Sequence, residues 1–166
     1  MAEGDTYYWA GGRRIPLAAS SDVVIDLDSA AGARLAGLQL DGLRAAGRSL
    51  TGSLLMVPGA DAAATLGDGV HVLPGVHPVY RSEDGSLVVV LPEVRVEARD
   101  PRALGAVRRS LTTAHVTEET DERLVLAPDS GRGADALTLA NELAESKGPD
   151  LAQARFVRVV ARPGRR

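Results

Sequence analysis

Cysteine is absent from the 166-residue chain, which removes disulfides, thiolate metal sites and cysteine nucleophiles at once. Aromatic residues are nearly as scarce, at 3%. The core must therefore be built from Val, Leu and Ala, whose small volumes suit thin sheet-and-helix layers better than a deep ligand pocket. Long apolar runs are missing too. The acidic start Met1-Ala2-Glu3-Gly4-Asp5 leads into no stretch of signal-peptide or membrane-span length. Neither secretion nor a membrane partner is indicated, and the cytosol is the expected location.

What is present is the composition of a globular chain. A hydrophobic fraction of 45% and a charged fraction of 25% argue against disorder, while 18 Gly and 9 Pro predict many short elements separated by turns. The length fits one ordinary domain or two very small ones. The net charge of −3 conceals an asymmetry, because after Asp150 the chain carries Arg155, Arg158, Arg162, Arg165 and Arg166 and no acid. Without those five the body stands at −8, which argues against phosphate-backbone binding, so no nucleic-acid partner is expected.

The chain also carries an internal repeat. Asp22-Val-Val-Ile-Asp-Leu-Asp28 resembles Glu93-Val-Arg-Val-Glu-Ala-Arg99, both with the period-two alternation of a half-buried strand. An amphipathic helical pattern follows in each half, over 30–41 and 101–113. Each half then offers a hairpin. Its arms are Leu43 to Leu50 and Ser53 to Val57 in the first copy, and Ala114 to Glu119 and Arg123 to Ala127 in the second. Gly59-Ala60-Asp61-Ala62 and Gly133-Ala134-Asp135-Ala136 then read as paired helix starts, with the carboxylate in the favourable first turn. Closing strands are predicted near Val76 to Arg81 and Ala152 to Val160.

Strand, helix, strand, strand, helix, strand is the split βαβ order. The predicted fold is α+β: two tandem ferredoxin-like units, each a four-stranded antiparallel sheet with two helices on one face, plus an N-terminal β-hairpin. The expected division is the hairpin over 1–20, a first unit over 21–81, a second over 82–160 and a basic tail over 161–166. The connector Ser82-Glu83-Asp84-Gly85-Ser86 is a turn leading into a strand from Leu87 to Leu91.

Several segments, taken in order, resemble a known family. Tyr7-Tyr8-Trp9, Gly12-Arg13-Arg14-Ile15-Pro16-Leu17, Val76-His77-Pro78-Val79-Tyr80-Arg81, Gly133-Ala134-Asp135-Ala136-Leu137 and Ala140-Asn141-Glu142-Leu143-Ala144 are similar to the N-terminal propeptide region of bacterial subtilisin-like serine proteases. The resemblance spans about residues 6–160 and reaches nothing of a catalytic domain, so no catalytic role carries over. It implies a module that binds a subtilisin-like protease as inhibitor, folding chaperone or regulatory subunit, in trans or within a longer parent chain. It further implies that the open sheet face and acidic side chains meet helices of the protease while the C-terminal tail enters its cleft.

The candidate partner-binding residues follow from that geometry. Arg95 and Glu97 alternate with Val94 and Val96, so the charged pair is expected on the open face and the valines under the helices. Glu118 and Glu119 lie in the densest acidic stretch, which reads either as a solvated hairpin tip or as carboxylates that dock on helix N-termini. Arg162, Arg165 and Arg166 form a tail that reads either as a frayed terminus or as a cleft-binding peptide. No enzyme is expected. His71, His77 and His115 are not spaced as metal ligands, and no Gly-x-Ser-x-Gly elbow or phosphate-binding loop is present, so neither a metal nor a cofactor is predicted. Two other function classes remain open, a scaffold module of a larger assembly and a small-ligand sensor.

Overall fold

A computed structural model of the chain describes residues 6–29, 42–67, 69–70, 73–146 and 148–159. The strands are β1 (Tyr7–Ala10), β2 (Arg13–Asp26), β3 (Arg48–Ser49), β4 (Leu54–Val57), β5 (Val76–Ser82), β6 (Leu87–Glu97), β7 (Ala114–Glu119), β8 (Arg123–Pro128) and β9 (Leu151–Val159). The helices are α1, described over 42–46, then α2 (Gly59–Leu66), α3 (Pro101–Ser110) and α4 (Gly133–Glu145). The predicted helix over 30–41 lies outside the described residues.

Two ferredoxin-like units with separate four-stranded sheets and two helices each on one face do not form. The strands join into one nine-stranded antiparallel sheet, in the order β3-β4-β2-β5-β6-β8-β7, with β1 paired to β2 and β9 paired to β6. The cause lies in β6. Leu87 to Leu91 and Glu93 to Arg99, expected as two strands, merge into one strand of 11 residues, Leu87–Glu97, that passes through Pro92 and stops two residues short of Arg99. Its start pairs with β5 (Val79↔Val89, Tyr80↔Val88, Arg81↔Leu87) and its end with β8 (Val94↔Leu126 to Glu97↔Arg123). Pro92 falls between those two paired stretches, where its missing N–H takes no bond from either ladder. A second correction concerns the first hairpin, whose arm was expected over Leu43 to Leu50. Residues 42–46 are helical, and only Arg48–Ser49 pair with β4.

The chain divides into two compact units. Unit 1 comprises Met1–Tyr7, Ile15–Val89 and Phe156–Arg166, and unit 2 comprises Tyr8–Arg14 and Val90–Arg155. Unit 1 buries its sheet on both faces. On one face Leu55, Ile25 and Val76 stand in register and pack with Leu43, Ala62 and Val70 into an apolar cluster. On the other, Met56, Val24 and His77 form a row that is almost wholly buried. The β2 ladder slips between Ala19 and Val23, and the chain passes so close there that a Cβ on Gly59, the first residue of α2, would meet the Ser21 carbonyl oxygen at 2.0 Å. Only glycine fits at that helix start.

Unit 2 buries one face of its sheet most fully, with Val125 buried on the other. Val94 and Val96 of β6 share a face with Leu126 and Leu124 of β8, all buried, while α3 and α4 bury Leu104, Val107, Ala136, Leu137, Ala140 and Leu143. α3 starts because Asp100 caps it, accepting the Arg102 N–H at 2.9 Å, with Pro101 in the first turn; Arg108 and Arg109 close it where the helix dipole favours cations.

Candidate functional site

The exposed face of the unit 2 sheet follows from register. In an antiparallel pair, directly opposed residues share a face. Arg95 opposes Val125, Val125 opposes Glu118, and His115 opposes Ala127, so Arg95, Glu118 and His115 point to the side away from Val94, Leu126 and Val96. Arg95 lies 3.4 Å from Glu97 on its own strand, with both side chains about half exposed, at 52% and 43%. The separation of Val94 and Val96 from Arg95 and Glu97 is thus the alternation that the sequence pattern anticipates.

The two central glutamates of the acidic hairpin do not act together. A bulge between Val116 and Glu118 shifts the register, placing Glu118 opposite Val125 on the exposed face and Glu119 opposite Leu124 on the buried one. Glu119 there meets Arg108 at the end of α3 in an ion pair. Its charge is engaged inside the unit, whereas Glu118 remains turned outward and exposed. Strict alternation from Val116, which opposes the buried Leu126, would turn Glu118 inward and Glu119 outward; the bulge reverses the two, and the sequence carries no sign of it. Arg162, Arg165 and Arg166 lie outside the described residues.

A polar cleft of about 440 Å³ opens beside the start of β7 and of α4, lined among others by Thr113, Asp129, Ser130, Asp135, Thr138 and Glu142. The segment 129–135 organises it. Ser130 donates its hydroxyl to Asp135 Oδ2 at 2.5 Å, and Arg132 Nε donates to the same oxygen at 3.1 Å. The Ser130 hydrogen bond, aided by the Arg132 guanidinium, holds the Asp135 carboxyl below its ordinary value. His115 Nδ1 lies 2.7 Å from Asp129 Oδ1. A serine, a histidine and two carboxylates are therefore neighbours, and the sequence reading missed them; the run Asp129-Ser130-Gly131-Arg132 was the available signal.

Their arrangement does not make a nucleophile. A hydrolytic serine needs its hydroxyl directed at a base strong enough to take the proton, and Ser130 directs its own at Asp135, whose carboxylate is a weaker base than usual because its pKa is held below the ordinary value. His115 is spent on Asp129, with both side chains more than half exposed. Among the described residues no group of three His, Asp or Glu side chains could hold a metal ion. None of the described helices is long and apolar enough to cross a membrane.

At the end of α4, Glu145 ties the β1–β2 turn to the helix. Trp9 Nε1 donates to Glu145 Oε1 at 3.2 Å, Arg14 reaches the same oxygen at 3.3 Å, and the guanidinium stacks 5.3 Å from the centre of the Trp9 ring. Trp9, in the Tyr7-Tyr8-Trp9 segment, thus belongs to this clasp.

Compared with protein-family models, curated proteins and solved structures, the chain has no match.

Proposed function

We propose that the protein is a non-catalytic binding module that docks a partner protein on the exposed face of unit 2, the partner implied by its sequence resemblance being a subtilisin-like serine protease. The observation that carries this reading is the division of labour on β6 and β8. Val94, Val96, Leu124 and Leu126 are consumed by the core, while the half-exposed pair Arg95 and Glu97 and the exposed Glu118 stand with Val125 on the opposite face, where a complementary surface can meet them. Ser130 and His115 are in keeping with the non-catalytic part, since Ser130 donates to Asp135 and His115 is paired with Asp129, so the imidazole is not the partner of the serine hydroxyl. The module works by steric occupation and charge complementarity, which sets register and encounter rate more than raw affinity.

The test is titration of the full chain against a subtilisin-like protease, with binding and residual peptidase activity measured together. Saturable binding with loss of activity is the expected result. Reversing Arg95 and Glu118 together to Glu and Lys should weaken it by about tenfold or more, since like charges facing across an interface are costly. Absence of binding to such proteases, with capture of a different protein through the same face, would replace the protease by a scaffold role.

A further inference from the structure

We propose that His77 is a proton-operated latch in unit 1, and that uptake of a proton by its ring opens the buried layer it forms with Val24 and Met56. The geometry is a row across three strands. Val24 of β2 stands directly between Met56 of β4 and His77 of β5, and their exposures are 0%, 9% and 1%. The neighbouring pair on that face, Val79 and Val89, is buried as well. Among the described residues neither ring nitrogen of His77 has a hydrogen-bond partner.

An imidazole in that position is a buried polar group with Val24 opposite it and Val79 beside it on the same face. Its neutral form is tolerated at a cost, and its charged form has no acceptor to receive a second N–H. Strand alternation and register give the charged groups that share its face: Asp22 and Asp26 on β2, Arg48 on β3 and Arg81 on β5 itself. β4 (Leu54–Val57) and the paired stretch Leu87–Val89 of β6 bring none. Asp26 is the carboxylate that favours the charged ring, but its Oδ1 already accepts from the Ser53 hydroxyl at 2.7 Å and from the Asp28 N–H at 3.0 Å. Burial outweighs it and pushes the His77 pKa below the ordinary 6.5.

The direction of the pH effect follows. The unfolded or opened chain accepts a proton at the ordinary value while the closed layer resists it, so the opened form binds more protons between the two values. Stability is fully present above pH 6.5 and is lost as pH falls from there through the folded value. One proton makes the opened fraction grow by up to about tenfold per pH unit in that window. This latch stands independently of the binding reading.

Native-state hydrogen exchange on the full chain, corrected for intrinsic rates, tests it at the Val24 and Val79 amides between about pH 7.5 and pH 5. Opening should rise with acidity in the wild type and in His115→Gln, and should lose that dependence in His77→Leu. A wild type without the response, or a His77→Leu protein that keeps it, would overturn the proposal. Should His77→Leu fail to fold, ring NMR of the wild type decides. A ring that stays neutral until exchange rises supports the latch, and one that titrates near 6.5 with exchange unchanged removes it.

Discussion

Single residues set the terms at two helix starts that read alike in the sequence. Gly59-Ala60-Asp61 and Gly133-Ala134-Asp135 share a pattern, yet different forces hold them. At Gly59 the constraint is steric, because the nearest atom to an added Cβ is a backbone carbonyl oxygen that cannot swing aside as a side-chain end would. Gly59→Ala should therefore destabilise the protein by about 1–3 kcal/mol, the usual cost of forcing atoms into a filled site, read from the urea midpoint. At Asp135 the force is polar. The Ser130 hydroxyl and the Arg132 guanidinium keep the carboxylate ionised below 3.8, so its contribution is present above that value and lost as pH falls through the lowered one. Carboxyl NMR should show the Asp135 midpoint moving up towards 3.8 in Ser130→Ala, because the largest single cause of the lowering is gone. A midpoint that does not move would mean that the guanidinium alone sets it.

Whole elements were legible where local chemistry and burial agree. The helical pattern over 101–113 was read from apolar spacing, and α3 does begin at Pro101; the Asp100 cap that fixes that start is seen in the fold, and Asp100→Ala should cost about 1 kcal/mol of stability, measured by thermal or urea unfolding. The acidic hairpin of β7 and β8 and the long α4 were equally readable, because alternation, turn residues and helix periodicity coincide there. Leu43 to Leu50 was misread for a physical reason. Leu43 belongs to the apolar cluster of unit 1 and is reached from a helical segment, and a lone buried leucine between polar residues fits either period. Pro92 misled in the other direction. Proline usually ends a strand, but here it occupies the interval where β6 exchanges one partner strand for another. The site was legible to the same degree. Alternation separated Arg95 and Glu97 from their valines, but the bulge that turns Glu119 rather than Glu118 inward, and the burial of His77, depend on pairing partners outside the segment itself.

The molecule as a whole departs from its repeat because of what β6 and the N-terminal turn do. A repeat of just over seventy residues suggests two pieces that fold alone, and the turn at 82–86 suggests where to cut. The pairings contradict that suggestion for a fragment spanning 82–160. Such a fragment keeps β6 but leaves the Leu87–Val89 stretch without β5, exposing an unpaired, fully apolar strand edge. It also loses Tyr8–Arg14, and with them the Trp9 and Arg14 contacts that hold Glu145 at the end of α4. A piece of that size buries little surface to begin with, so losses of this kind take a large share of its stability. The fragment should therefore unfold with a shallow, weakly cooperative urea transition and associate at micromolar concentration. Extending it to restore only the hairpin, by fusing residues 6–17 through a flexible linker, should recover the α4 end but not the exposed edge of β6. A sharp two-state transition in the bare 82–160 fragment, with an m-value in proportion to its length, would show that the shared strand is dispensable and that the repeat is the folding unit after all.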